Sequence, residues 1–320
     1  MNSQAWGARK VVIVGAGSVG ATFAYALAQS GISDAIILID HNRDLAQGQA
    51  LDLAHGFPFF PPVEIRAGEA ADFADAQVIV ITAGAKQQAG ESRLDLLQRN
   101  AVIVESIVDD IVSRNSSAVI VVVSNPVDVL TQIALKRTEW DRSRVLGSGT
   151  VLDSARFRYL LSQCSDIDVH NVHAYILGEH GDSEFAAWSQ THVAGMSINK
   201  YCPICAKCGD WKAKRARMVE EVRSSAYHII DYKGATYFAI GLALVRIVGA
   251  VLRNQKTVLT VSTLLTGEYG VEDVCLSVPA VVSRVGVERI VEGELAAEER
   301  KSLSRSALIL RDTLEKLHSM

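Results

Sequence analysis

The residues best suited to chemistry lie in the segment 178–184, which reads Gly-Glu-His-Gly-Asp-Ser-Glu. His180 stands in it between two glycines, so the backbone can approach a ligand and the imidazole has room beside it. Imidazole has an unperturbed pKa of about 6.5 and can give or take a proton near neutrality. With a nucleotide cofactor nearby, His180 would be the proton partner of a hydride transfer. Without one, a histidine in a polar turn is more often an ordinary loop residue.

A glycine pattern near the N-terminus indicates where such a cofactor would bind. Gly15, Gly17 and Gly20 form G-x-G-x-x-G, with Val19 inside it, between an apolar strand-like run and a helical stretch. The first glycine permits a tight turn, the second lets the backbone approach a pyrophosphate, and the third lets helix and strand pack closely. The helix N-terminus then faces the phosphates.

An acidic residue follows at the spacing that a dinucleotide site requires. Asp40 lies about twenty residues after the last glycine of the pattern, at the end of the second predicted strand. A carboxylate there would bind the ribose hydroxyls and repel a 2′-phosphate, so the pattern predicts NAD rather than NADP as the cofactor. Arg43, a cation nearby, weakens that preference.

The elements that must position these residues alternate in the first half of the chain. Apolar runs predict strands at 10–14, 35–39, 78–82, 118–123 and 144–146, with helices at 21–29, 44–54, 94–113 and 127–136. This order predicts an α/β fold, a Rossmann-type doubly wound parallel sheet that binds ligands at the carboxyl ends of its strands.

The second half has a more mixed order and predicts an α+β domain. Its expected helices are 152–163, 212–231, 236–251 and 298–317, and its expected strands are 170–176, 258–264 and 274–279. We therefore expect an NAD-binding domain at 1–148 and a substrate-binding, catalytic domain at 149–320.

Polar residues follow several of these strands. The turn 82–93 contains two glycines and ends at Arg93, as expected of a mobile lid. Asn125 follows another strand and would place an amide at the cofactor crevice. Asp153 and Arg156 share one face of a predicted helix, where a simple helical ion pair is the alternative interpretation.

Five motifs, in order, give the chain a family resemblance: GAGSVG, AGAKQQAGESR, VSNPVDV, LDSARFR and GEHGDSE. With them the chain resembles the L-lactate dehydrogenases of the lactate/malate dehydrogenase superfamily, from Gly15 to Gly286. The resemblance implies a Rossmann domain that binds NAD, a substrate domain, and reversible interconversion of pyruvate and L-lactate.

The resemblance also implies a role for each residue at the reaction centre. Arg156 would hold the substrate carboxylate through two parallel hydrogen bonds. His180 would exchange a proton with the substrate oxygen, while Asp153 orients and stabilises its imidazole. Arg93 would enter with the lid and polarise the carbonyl group. Asn125 would bind the substrate oxygen and help seat the nicotinamide.

Further positions follow from the same resemblance. Thr236 would lie beside the substrate methyl group, and Ile240 would contact the nicotinamide ring. Ala83 and Gly84 begin the lid and belong to the expected cofactor site.

Gln87 distinguishes pyruvate from oxaloacetate. By the resemblance, malate dehydrogenases carry an arginine at this position, which pairs with a second carboxylate. A glutamine leaves a buried carboxylate without a charged partner, at a cost of several kcal/mol. Malate dehydrogenase activity is the alternative, because the adjacent Lys86 could bring a cation into the pocket if the lid shifted by one position.

The resemblance to allosteric bacterial enzymes extends to regulation. Arg158 and His173 match the arginine and histidine that bind fructose 1,6-bisphosphate across a subunit interface in those enzymes. We therefore expect this effector and a homotetramer, with a dimer in equilibrium as the alternative. A surface charge and a core histidine are the simpler interpretations of the two residues.

The composition of the chain argues against nucleic-acid-binding, secreted and membrane proteins. A net charge of -4 offers no field for nucleic acid or an anionic membrane. The N-terminus lacks the apolar segment of a secretory signal, and no apolar run reaches the roughly 18 residues of a membrane helix. We expect a cytoplasmic protein without nucleic-acid or membrane partners.

Two other classes of protein agree less well with the sequence. A non-catalytic NAD-binding protein would lack at least one of Arg93, Asp153, Arg156 and His180, and all four are present. A metal-binding protein could use Cys202, Cys205 and Cys208, but a structural zinc site normally needs four ligands and only three are local; Cys164 could in principle be the fourth. We therefore expect no metal.

Overall fold

The computed structural model describes residues 9–86, 90–205 and 210–318 of the chain. The first half alternates strands and helices because short runs of buried Val and Ile are separated by amphipathic stretches. In order these elements are β1 (Lys10–Val14), α1 (Ser18–Ser30), β2 (Ala35–Ile39), α2 (Arg43–His55), β3 (Glu64–Ala67), β4 (Val78–Ile81), α3 (Arg93–Ser113), β5 (Val119–Val122), α4 (Val127–Thr138) and β6 (Val145–Gly147).

The second half contains longer antiparallel strands, several two-residue strands and four long helices. Its elements are α5 (Val151–Ser165), β7 (Val172–His173), β8 (Ile176–Leu177), β9 (Phe185–Ala186), β10 (His192–Val193), β11 (Met196–Ser197), α6 (Ile198–Cys205), α7 (Trp211–Lys233), α8 (Phe238–Leu252), β12 (Thr257–Thr266), β13 (Glu272–Ser283), β14 (Gly286–Ile290) and α9 (Ala297–His318).

Nine strands of the described chain form one sheet in the order β14-β13-β12-β6-β5-β4-β1-β2-β3. The six strands from β6 to β3 are parallel, and the order reverses where β1 lies between β2 and β4. Such a reversal is where doubly wound sheets bind ligands. The α/β fold with a Rossmann-type sheet, followed by a mixed second half, is confirmed.

The sheet also joins the two halves. β12 meets β6 in antiparallel fashion, with Ser262 opposite Gly147, so the sheet continues past residue 148. The division at 148 stays a prediction, because strands from both sides share this sheet. Apolar side chains cover both of its faces, and a smaller cluster packs between α5, β7 and α7.

The structure differs from the predicted elements at β3 and in the segment 170–176. β3 alternates exposed and half-buried residues and contains a glutamate and an arginine, so it lacks the apolar run that marks the other parallel strands. The expected strand at 170–176 was wrong: the segment begins in a helical turn and contributes to β7 and β8 in two different small sheets. No helix within the described ranges is long and apolar enough to cross a membrane.

Candidate active site

The loop between β8 and β9 carries His180 and is fixed at its base. Gly178 exchanges two backbone hydrogen bonds of 3.0 Å with Ser277 of β13. It has a φ of 100°, a conformation that favours glycine. Farther along, the backbone N–H of His180 donates to Oδ2 of the buried Asp128 at 2.7 Å. The histidine is therefore held through its backbone by two separate parts of the fold.

One buried carboxylate connects the three residues expected at the reaction centre. Oδ2 of Asp153 lies 2.7 Å from Nδ1 of His180, and Oδ1 accepts a 2.8 Å hydrogen bond from Nη1 of Arg156. The Asp153 side chain is only 2% exposed. The helical ion pair therefore forms, and the same carboxylate also fixes the imidazole, leaving Nε2 as the ring nitrogen for a ligand.

The carboxylate also sets the charge of the histidine. Burial by itself would lower the pKa of His180, but the nearby Asp153 carboxylate outweighs it and raises that pKa to about 9. Burial would likewise raise the pKa of Asp153, whereas the charge of His180 lowers it below its usual value. At neutral pH the pair is therefore an imidazolium and a carboxylate, which makes His180 a proton donor.

A cavity of about 370 Å³ opens beside this pair. Its wall includes residues from α3, the β5–α4 loop, α5, the β8–β9 loop and α7: Arg93, Asn125, Asp153, Arg156, His180, Asp182, Glu184, Arg223 and Tyr227. Five of these were expected as site residues. Thr236, in the turn before α8, does not line this cavity, and Gln87 lies outside the described residues, as does Cys208.

Arg93 occupies the rim of the cavity. It is the first residue of α3, whose start is fixed by a reciprocal capping box between Ser92 and Asp95. Its side chain is 81% exposed, and its Nη1 lies 3.4 Å from Oδ2 of Asp182 on the opposite wall. Tyr227 donates a hydrogen bond of 3.3 Å to the other oxygen of Asp182. The arginine thus has a weak, solvent-exposed partner that an anionic ligand can displace.

The glycine loop after β1 has the shape that a dinucleotide phosphate needs. Gly15 has a φ of 105°, and a Cβ on it would lie 2.6 Å from the backbone nitrogen of Ala83. A Cβ on Gly20 would lie 1.9 Å from the carbonyl oxygen of Gly15, whereas one on Gly17 would have no neighbour within 4 Å. Gly15 and Gly20 are therefore required by packing. The space at Gly17 fits a ligand that approaches the N-terminus of α1.

Asp40 closes the other end of this loop. Its carboxylate accepts hydrogen bonds from the backbone nitrogens of Ala16 at 2.7 Å and Asn42 at 2.9 Å. Each oxygen keeps lone pairs for ribose hydroxyls. A cleft of about 760 Å³ runs beside it, with Gly15, Asp40, Arg43, Ala83 and Gly84 in its wall. These residues fit the adenosine half of NAD.

The comparisons with known proteins agree with this geometry. Residues 9–147 match the family model described as lactate/malate dehydrogenase, NAD binding domain, and residues 150–320 match the alpha/beta C-terminal domain of the same family. The chain belongs to the lactate/malate dehydrogenase family. It is an NAD-dependent oxidoreductase, and its cofactor is NAD.

Relatives of this family member are similar over nearly their whole length. The L-lactate dehydrogenase of Treponema denticola is 56% identical, with 97% of this chain and 98% of the relative covered. That of Thermoanaerobacter pseudethanolicus is 50% identical, with 96% and 99% covered. A lactate dehydrogenase from a Medee basin deep-sea metagenome has a TM-score of 0.95 at 43% identity, covering 97% of this chain and 99% of that one.

The remaining expected residues lie outside the central cavity. Val19 and Ile240 are partly buried against the same apolar cluster, which α1 and α8 share. Arg158 is on α5, where its Nε donates to the carbonyl oxygen of Ser154 at 3.3 Å. His173 is exposed on β7, opposite His192 of β10.

Three residues near the centre escaped prediction. Asp128 lies in the motif that contains Asn125, but nothing in the motif indicates that its carboxylate binds the backbone of a residue on a distant loop. Glu184 ends the His180 motif and is buried, and Arg223 of α7 donates to its backbone carbonyl oxygen. Asp128 and Glu184 could have been noticed as acidic residues within recognised motifs. Nothing in the sequence marked Arg223.

Proposed function

We propose that the chain is an L-lactate dehydrogenase that reversibly reduces pyruvate to L-lactate with NADH. One observation carries this proposal: Asp153 holds a proton-donating histidine and a carboxylate-binding arginine on the wall of one cavity. A 2-oxo acid needs these two groups, one for its carbonyl oxygen and one for its carboxylate. The names of the relatives support the same activity.

The residues divide the work as follows. Arg156 binds the substrate carboxylate through its planar guanidinium, and Asn125 binds the substrate oxygen. NADH, when bound, would supply the hydride for the carbonyl carbon. His180 gives its proton to the carbonyl oxygen, so that pyruvate, NADH and one proton yield lactate and NAD⁺. Arg93 leaves Asp182 for the charge that develops on that oxygen. Asp153 stabilises the imidazolium before the transfer, and it holds the His180 ring in one orientation throughout.

Pyruvate is proposed over oxaloacetate because of Gln87. A glutamine cannot neutralise the second carboxylate of oxaloacetate, whereas the methyl group of pyruvate needs no partner. Thr236 beside that methyl group, and Ile240 against the nicotinamide, complete the proposed site. Activation by fructose 1,6-bisphosphate and a homotetramer belong to the same proposal and rest on Arg158 and His173.

The proposal is tested by following NADH oxidation with pyruvate and with oxaloacetate. We expect kcat/KM for pyruvate to exceed that for oxaloacetate, and Gln87→Arg to move the preference toward oxaloacetate by tenfold or more, since the second carboxylate of oxaloacetate gains a cationic partner. Gln77→Arg, on the chain segment before β4, is the matched control and should leave the ratio unchanged. A larger kcat/KM for oxaloacetate in the unmodified enzyme would identify a malate dehydrogenase.

A further inference from the structure

Glu184 is a carboxylic acid buried in the wall of the substrate cavity, only 3% exposed. One of its carboxyl oxygens, an oxygen of Asp153 and a ring nitrogen of His180 all lie within 4.8 Å of one another. Its backbone is fixed, since its N–H donates to the carbonyl oxygen of Gly181 at 3.3 Å and its carbonyl oxygen accepts from Nε of Arg223 at 3.1 Å. The acid is thus held close to the proton donor and outside bulk water.

The mechanism above gives this acid no task, yet its charge decides the charge of the site. The groups that face it are Asp153 and Arg156 from α5, His180 from its own loop, and Arg223 from α7. Asp128 of α4 faces the same histidine. With Glu184 neutral, the carboxylates of Asp153 and Asp128 and the cations Arg156, Arg223 and protonated His180 carry a net charge of +1. With Glu184 ionised, the net charge of these groups is zero.

An anionic substrate distinguishes between these two states. Its carboxylate must reach Arg156, whose side chain is only 15% exposed, so that charges there interact more strongly than in solution. An ionised Glu184 would repel that carboxylate and compete with it for the guanidinium. A neutral Glu184 leaves the positive charge available to the substrate.

We propose that Glu184 serves the reaction as a neutral acid, and that the enzyme takes up a proton at Glu184, as well as at His180, when it binds a 2-oxo acid from alkaline solution. This inference rests on the proposed function, because it takes a 2-oxo acid as the ligand of the cavity. Glu184 thereby sets the upper pH limit of substrate affinity, separately from the proton transfer itself.

The electrostatics of the free enzyme are consistent with this role. Burial raises the pKa of Glu184 to about 8, and the Asp153 carboxylate acts in the same direction, against the charges of His180, Arg156 and Arg223. Above that pH the acid ionises in the free enzyme. A bound anion favours the neutral form, so binding must be accompanied by proton uptake.

The experiment counts those protons. Oxamate has the carboxylate and carbonyl groups of pyruvate, and an amino group in place of the methyl group. Its dissociation constant from the enzyme saturated with NADH is measured from pH 7 to 10. The slope of log Kd against pH gives the protons taken up on binding. We expect a slope approaching two above pH about 9, which means Kd rises by about a hundredfold per pH unit.

Three variants test whether the second proton binds at Glu184. Glu184→Gln should reduce the limiting slope to one, or about tenfold per pH unit, and calorimetry in two buffers of different ionisation enthalpy should show one proton fewer. Glu184→Asp retains an acid and should retain a slope above one. Glu221→Gln, at an exposed position of α7, is the matched control and should behave as the unmodified enzyme.

The outcomes separate this inference from the proposed function. Normal pyruvate reduction with a limiting slope of one in the unmodified enzyme would overturn the role of Glu184 alone. The same holds if Glu184→Gln retains the second proton. Failure to bind oxamate and to reduce pyruvate would overturn the proposed function and this inference with it.

Discussion

At the scale of single residues, the Asp153 carboxylate has the largest influence, because two reactive groups depend on it. It is nearly inaccessible to water and bonds both His180 and Arg156. An isolated buried carboxylate would be costly, and here two cations compensate for its lost hydration. The same arrangement keeps the imidazole protonated and aligned before any substrate arrives.

This dependence predicts the pH profile of pyruvate reduction at saturating substrate. The His180 pKa is raised to about 9 in the free enzyme, and a bound anionic substrate raises it further, so at saturating substrate the proton donor is lost only above that pH. Asp153→Asn removes the charge that raises this pKa and leaves burial, which lowers it. We expect the alkaline limit of kcat to move toward acid by two pH units or more. We also expect kcat at pH 7 to fall by about 10² to 10⁴.

The surface offers a matched control for this experiment. Asp168 lies 2.7 Å from Nδ1 of His170, the same contact in an exposed setting. Asp168→Asn should change neither kcat nor its pH dependence. An unchanged profile in Asp153→Asn would show that the carboxylate does not control the proton donor.

At the scale of elements, the first half of the chain was predictable because each feature is local. The buried runs of β1, β2, β4 and β5 appear as uninterrupted apolar residues, and the glycines between β1 and α1 have a spacing with one physical explanation. β3 has no such run and was missed.

The second half was less predictable because its contacts connect distant segments. The loop that carries His180 is fixed by Asp128 of α4 and Ser277 of β13, and no periodicity records these pairings. The motif in that loop made His180 a candidate, but it did not show that Glu184 is buried. Burial of an acid follows from the packing of α5 and α7 around it, which only the three-dimensional structure reveals.

The turn between β1 and α1 yields a prediction that separates folding from cofactor binding. Gly17 has a φ of -70° and open space at its Cβ position, so Gly17→Ala should fold with a melting temperature near that of the unmodified protein. Because the cofactor pyrophosphate approaches this backbone, the methyl group should weaken NADH binding by tenfold or more. Tryptophan fluorescence or calorimetry measures the affinity.

Gly20→Ala is the counterpart of that variant. Its Cβ would lie 1.9 Å from the carbonyl oxygen of Gly15, so helix and strand must separate. We expect a loss of about 1–3 kcal/mol of stability, typical of overpacking, measured by denaturant unfolding. Equal stability of the two variants, or unchanged NADH affinity in Gly17→Ala, would contradict this assignment of the glycines.

At the scale of the whole molecule, a single sheet connects the cofactor and substrate regions. β6 leads directly toward α5, which carries Asp153, Arg156 and Arg158. The helix proposed to bind the substrate carboxylate therefore also carries the arginine proposed to bind the effector. A shift of α5 caused by an anion at Arg158 would also move Asp153 and Arg156, so that binding of the effector would alter binding of the substrate.

Arg158 itself favours an anionic partner. Burial lowers the pKa of its guanidinium, and the positive charge of Arg246 acts in the same direction. A phosphate would relieve both effects, and His173, exposed on β7, is available to a ligand that spans two subunits.

We expect fructose 1,6-bisphosphate to lower the KM for pyruvate by about fivefold or more, a typical allosteric coupling, and to shift the sedimentation coefficient toward that of a tetramer. Arg158→Gln should abolish both responses, whereas Arg305→Gln, at an exposed position of α9, should retain them. A titration that changes neither KM nor oligomer size would exclude this effector.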